Sequence, residues 1–192
     1  MHTLVIAGDR ARSTGEQDVW RLFDTKANTV TFVDDAARTV RTEALPAILE
    51  RRRRSLAGEL PPHYPRVRIT RTGRNQALLS VNAEESVIQS GEYRRELWLG
   101  QHPAIPAGLF AMMQASEPLA SPLAPMMRQV DEALLAAKGY PLLERIEVPF
   151  EKQKLIVERS VVAIARKNVP EAVMTVPKTY LDMTPKPKPA AR

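Results

Sequence analysis

The stretch from Gly139 to Met183 constrains this chain most. It opens GYPLLERIEVPF, continues KLIVERSVVAIAR and ends NVPEAVMTVPKTYLDM. In Leu142–Phe150 the residues Ile146, Val148 and Phe150 alternate with Arg145 and Glu147, the two-residue period of a strand with one buried face. Lys154–Arg166 spans thirteen residues and is the longest strand candidate. Its apolar residues fall on both faces, which predicts a central strand covered twice. The segment Val176-Pro177 to Tyr180 then closes the sheet at an edge.

Upstream, short runs of strand period recur. Thr3–Ala7, Asp18–Asp24, Thr29–Val33 and Arg38–Thr42 form a meander with turns at 25–28 and at Asp34-Asp35. Ala44–Leu56 switches to helical spacing, with Leu45, Ile48, Leu49 and Leu56 on one face, Pro46 in the first turn and Gly58 as the stop. Arg66–Thr70 alternates again, Gly73-Arg74-Asn75 reads as a loose turn, and Gln76–Asn82, Ser86–Gln89 and Glu92–Leu99 read as strands. In the last of these Arg95 shares a face with Tyr93, Leu97 and Leu99, and Trp98 takes the other. Ala104–Ser116 is a predicted helix. After the N-cap Ser121-Pro122, the positions Leu123, Met126, Met127, Val130 and Leu134 make the strongest helical stripe of the chain, which Gly139 stops.

The order of strands, helix, strands, helix pair and strands predicts an α+β fold. Its expected form is one curved, mostly antiparallel sheet, an incomplete barrel, with helices on the concave face. Residues 1–183 form one domain on this reading, and the Pro/Lys-rich 184–192 is a disordered tail.

Chemistry is sparse. The chain has no cysteine, so disulfides and thiolate sites are excluded. The histidines His2, His63 and His102 lie far apart, two of them beside prolines or in loops. No nucleophile elbow, P-loop or dinucleotide-binding glycine motif occurs. Asp34-Asp35 and Glu84-Glu85 read as solvated turns rather than acid pairs. These observations predict no catalytic residue, no metal site and no cofactor. The net charge of +6 permits anionic partners. Arg51, Arg52, Arg53 and Arg54 are the candidate anionic-surface contact, together with Arg66, Arg68, Arg71 and Arg74 nearby. No aromatic residues interleave these arginines to stack bases, which weighs against nucleic acid and favours a solvated helix face. No apolar run approaches the roughly 20 residues of a membrane span. Met112, Met113, Met126 and Met127 crowd around Pro118–Pro125. They either fill a core or, with Leu109, Phe110 and Val130, line a lid over an apolar cavity; the candidate lid is Leu109, Phe110, Met113, Met126, Met127 and Val130.

Several short stretches together resemble a family. They are Gly8-Asp9-Arg10, Trp98, Gly139-Tyr140-Pro141, Val169-Pro170 and Val176-Pro177 with Tyr180. The pattern resembles uncharacterised bacterial envelope proteins of the DUF4412 type, similar in fold to the outer-membrane lipoprotein carriers LolA and LolB. Met174 stands where that pattern has an aromatic residue, and Lys178-Thr179 replaces its small residue and glycine. The resemblance implies a non-enzymatic cell-envelope protein that binds a lipid or lipoprotein acyl chain, or another apolar ligand, under the Met-rich helices. The alternative is a structural or protein-interaction module with a filled core and an envelope protein partner; the third reading is nucleic-acid binding by the arginine face. Such families begin with a signal peptide and a further strand, so the resemblance implies an upstream start and a periplasmic or envelope location. A start at Met1 implies a cytoplasmic one.

Overall fold

Two short segments, Asp24–Asn28 and Asp34–Arg38, repeat one turn design. In each, the leading aspartate accepts a hydrogen bond from the backbone three residues on: Ala27 N–H to Asp24 and Ala37 N–H to Asp34, both 2.7 Å. Each turn ends in the left-handed region, at Asn28 (φ 58°) and Arg38 (φ 52°). Asp and Asn favour this geometry because their short polar side chains bond the nearby backbone. The turns fold the first strands into a meander, as the sequence predicts.

The computed structural model describes residues 3–14, 18–56, 65–117, 124–150 and 153–185, leaving aside the side chains of 124–126 and 150. His2, His63, the Ser121-Pro122 cap and the tail beyond Pro185 lie outside the described residues. In chain order the elements are β1 (Thr3–Ala7), β2 (Arg10–Thr14), β3 (Val19–Asp24), β4 (Thr29–Asp34), β5 (Thr39–Ala44), α1 (Leu45–Ser55), β6 (Arg68–Leu78), β7 (Val81–Ser90), β8 (Tyr93–Gly100), α2 (Leu109–Ser116), α3 (Ala124–Leu135), β9 (Tyr140–Phe150), β10 (Gln153–Ser160) and β11 (Leu181–Asp182). The fold is α+β. The one sheet expected from the sequence is instead two mostly antiparallel sheets, neither a closed barrel, and the chain divides into two compact units, 1–49 with 167–192 and 50–166.

The first unit holds a six-stranded sheet in the order β1-β2-β3-β4-β5-β11, with only β11 parallel to its neighbour. Trp20 and Phe23 point to opposite faces of β3 and are both buried, as are their cross-strand partners Val33 and Val30. The closing segment is pinned by polar contacts. Tyr180 donates to Asp35 at 2.9 Å, and the Trp20 indole N–H donates to both Asp35 oxygens at 3.0 Å. Arg12 lies over the Trp20 ring, 3.8 Å from its centroid, and donates to the Val173 carbonyl at 3.0 Å. Met174 is buried in the single 3-10 turn Glu171–Met174. Thr184, expected in the disordered tail, accepts the Thr42 N–H at 2.9 Å and so continues the edge pairing.

The second unit holds a five-stranded antiparallel sheet in the order β10-β9-β8-β7-β6. Three expectations change here. Gly73-Arg74-Asn75 is not a turn but a bulge inside β6, which keeps its pairing with β7 on both sides. The turn lies instead at Leu79 and Ser80, both at positive φ (50° and 63°), inside the run read as a strand from Gln76 to Asn82. Two-residue hairpins need that backbone, and neither residue type signals it. Lys154–Arg166 is not a central strand. β10 ends at Ser160 and lies at the sheet edge, with Leu155 54% and Ile156 47% exposed. Apolar residues on both faces mark a segment as able to pair, but they do not say what lies against it.

Gly139 starts β9 for a physical reason. Its φ is 101°, and a Cβ there would stand 2.9 Å from the Gly100 carbonyl oxygen, a backbone atom that cannot step aside. Gly139→Ala is therefore expected to destabilise the second unit by about 1–3 kcal/mol, measured by urea denaturation.

Candidate functional site

Of the candidate lid, Leu109, Phe110 and Val130 are buried. α2 begins after Gly108, whose φ of 79° turns the chain into the helix. Leu109, Phe110, Met112, Gln114, Ala115 and Ser116 are all buried, so α2 is enclosed on more than one side. Phe110 and Val130 join Ala133, Leu134, Ile88, Tyr93 and Leu97 in one apolar cluster, with Met127 packed against it. The Phe110 ring meets Tyr140 edge-on, with centroids 6.2 Å apart. Leu109 is fully buried and Met113 half-buried. The side chain of Met126 lies outside the described residues.

Within this apolar cluster sits a polar one. Arg95 and Glu144, on β8 and β9, form an ion pair whose side chains are only 7% and 6% exposed. Arg95 also donates to the Gln114 side-chain carbonyl at 2.8 Å, tying the sheet to α2. Arg159 lies 3.5 Å from the other Glu144 oxygen. Burial pushes the Tyr93 hydroxyl above its ordinary pKa, with the neighbouring Arg95 working against it. Burial also raises Tyr140, and the Glu144 carboxylate adds to that. Among the described residues, no buried side-chain nitrogen or oxygen lacks a partner.

A second clamp involves the arginine run. Arg52 donates to Asp131 at 2.6 Å and to the carbonyls of Ala115 and Glu117 at 3.3 and 2.7 Å. Both charged side chains are about nine-tenths buried, at 10% and 7% exposure. Arg52 thus holds the end of α2 and the middle of α3 together, and is spent on this rather than on an anionic surface. Its neighbours stay outside: Arg51 is exposed, and Arg53 and Arg54 are exposed and bond Glu50 at 2.7 and 2.9 Å. Of the four arginines, three are on the surface and Arg52 is not.

Glu85 departs from its reading as a solvated turn. It lies in the middle of β7, 1% exposed, where Arg74 grips both carboxylate oxygens and Thr72 donates at 2.6 Å. The bulge in β6 is what brings Thr72 and Arg74 over it. Burial alone would raise the Glu85 carboxyl. The Thr72 hydroxyl and the Arg74 guanidinium outweigh that and hold it below the usual carboxylate range. A carboxyl with a depressed pKa in the fold stabilises above its unfolded value and loses that contribution as pH falls through the folded one. Acid titration of Glu85→Gln, followed by thermal melting, should therefore show less loss of stability below about pH 4.5 than the parent chain.

Of the groups in these clusters, the sequence marks Arg95 through its place on an apolar face, and marks Arg52 and Glu85 only as surface residues. Glu144 carried the complementary signal, since it shares the face of Ile146 and Val148 on β9. Gln114 and Asp131 sit on helices in no unusual pattern, and nothing in their spacing pointed to them. Among the described residues no three His, Cys, Asp or Glu side chains are grouped to hold a metal, and no helix is long and apolar enough to cross a membrane. His102 accepts the Ala104 N–H at 3.1 Å in its own loop.

No protein-family model, curated protein or solved structure matches this chain, so the likeness read from Gly8-Asp9-Arg10, Trp98, Gly139-Tyr140-Pro141, Val169-Pro170 and Val176-Pro177 with Tyr180 rests on those residues alone.

Proposed function

We propose that the chain is a non-catalytic interaction module with a filled core, which acts through its surface rather than through an internal ligand. The observation that carries this reading is the seating of α2 and α3 on the sheet, where Gln114 bonds Arg95 and where Phe110 and Val130 join Ile88, Tyr93 and Leu97. A lid has to part from the sheet. Parting α2 from the sheet would strip the buried Arg95 guanidinium on β8 of its bond to Gln114, while Arg52 on α1 ties α2 and α3 to each other. Losing a hydrogen bond made by a buried charged group costs about 1.5–3 kcal/mol. Phe110 and Val130 would lose their packing in the same step. The cell-envelope location and the LolA-like curvature with helices over a concave face belong to the family likeness, and fit this module as well as they fit a carrier.

Native mass spectrometry of the protein purified from a bacterial envelope fraction tests the proposal. The expected spectrum is the bare chain or assemblies of it. A stoichiometric acyl-bearing lipid on the chain overturns the proposal in favour of the carrier reading. The nucleic-acid reading predicts binding of single-stranded or duplex nucleic acid at low salt; with Arg52 buried and Arg53 and Arg54 bonded to Glu50, none is expected.

A further inference from the structure

The five-stranded sheet has two outer strands, and they differ. β6 is interrupted by the bulge between Arg71 and Asn75 and carries Arg68, Arg71 and Arg74, devices that blunt an edge against added strands. β10 carries charges too, Lys154, Glu158 and Arg159, but of both signs and with no bulge. It is eight residues of regular pairing, QKLIVERS, without proline, glycine or bulge, and it leaves Leu155 and Ile156 half open to solvent.

The backbone of β10 fixes how another strand could join. Val161 N–H donates to the Leu142 carbonyl at 2.8 Å, so the odd-numbered residues turn their N–H and C=O toward β9. In an antiparallel ladder the alternate residues then turn theirs outward. These are Lys154, Ile156, Glu158 and Ser160. An antiparallel copy of the same strand, centred on Ile156, meets this requirement without a slip. Ile156 pairs with Ile156 of the second copy, Lys154 with Glu158 at both ends, and Leu155 with Val157 at both flanks. Every hydrogen-bonded pair then joins two outward-facing residues. The charges also continue a row already present in the sheet. Glu96 lies opposite Arg145 and Arg145 opposite Glu158, which it bonds at 3.3 Å, so a Lys154 from the second copy extends the alternation. Placements centred on Lys154 or Glu158 set that residue against its own copy, and those centred on Leu155 or Val157 leave Lys154 and Glu158 without each other.

We infer that β10 is a self-recognition edge, through which two copies of the chain join their five-stranded sheets into one continuous sheet by antiparallel pairing centred on Ile156. The arrangement is isologous, so it closes at two copies and does not propagate. The inference rests on the module reading above and supplies its partner, a second copy.

Sedimentation equilibrium of the full chain across a concentration series is the test. The expected result is a monomer–dimer equilibrium. Ile156→Pro removes an N–H that faces away from β9, so the fold persists and the dimer is lost; far-ultraviolet circular dichroism and a cooperative melt that no longer depends on concentration verify the fold. Glu158→Lys sets lysine against lysine twice and should raise the dimer Kd at least about tenfold. Adding Lys154→Glu to that variant restores opposite charges and should recover most of the loss. A monomeric parent chain at every concentration, or a dimer that survives both Ile156→Pro and Glu158→Lys, overturns the inference. Neither result touches the lipid measurement on which the module reading stands.

Discussion

Glu144→Ala destabilises the second unit by about 3–5 kcal/mol, because it leaves the Arg95 guanidinium buried without its carboxylate. Gln114 still accepts from Arg95, but a neutral amide does not balance its charge. The double substitution Arg95→Met with Glu144→Leu removes both charges and fills similar volume. It should recover most of the loss and can exceed the parent in stability, since neither desolvation cost remains. Urea denaturation measures both. The chain has two tryptophans, Trp20 in the first unit and Trp98 in the second, so a Trp20→Phe background leaves Trp98 to report on the second unit alone. A loss below about 1 kcal/mol for Glu144→Ala would mean that the pair is open to water in solution.

Phe110→Ala should cost a further about 3–5 kcal/mol by the same measurement, the range for an aromatic ring removed from a packed core. Phe110 is 8% exposed and sits between the sheet cluster and Tyr140. If it lined a cavity awaiting a ligand, truncation would only enlarge a space already there, and the cost would be small. The two substitutions therefore probe one question from the polar and the apolar side: whether α2 and α3 belong to the core.

Local chemistry explains which parts of the fold were legible. The meander of the first unit was readable because Asp24, Asn28 and Asp34 are residues that make turns by their own side chains. Gly139 was readable as a stop because only glycine suits that backbone so close to Gly100. The hairpin at Leu79-Ser80 was hidden, since its left-handed residues are neither Gly nor Asn and the surrounding ladder imposes the conformation. The place of β10 was hidden for another reason. Periodicity reports which residues can face a core, while strand order depends on pairings between segments far apart in sequence.

The site followed the same division. Arg95 on an apolar face was a visible anomaly, but its meaning depended on Glu144, forty-nine residues away. The run Arg51–Arg54 looks like one basic surface by composition, but Arg52 stands four residues from both Ile48 and Leu56, on the apolar face of α1. Asp131 on another helix singles out Arg52, and the cationic surface shrinks accordingly.

Native-state hydrogen exchange of α2 tests the central claim most directly, because amide exchange reports the free energy of each local opening. With α2 packed on the sheet and bonded to Arg95 through Gln114, the amides of Met112 to Ser116 should exchange only when the second unit unfolds. They should show the same free energy and denaturant slope as the amides of β8. Exchange of α2 and α3 through an opening several kcal/mol easier than the unfolding of β8 would contradict the account, and would identify the helices as a lid.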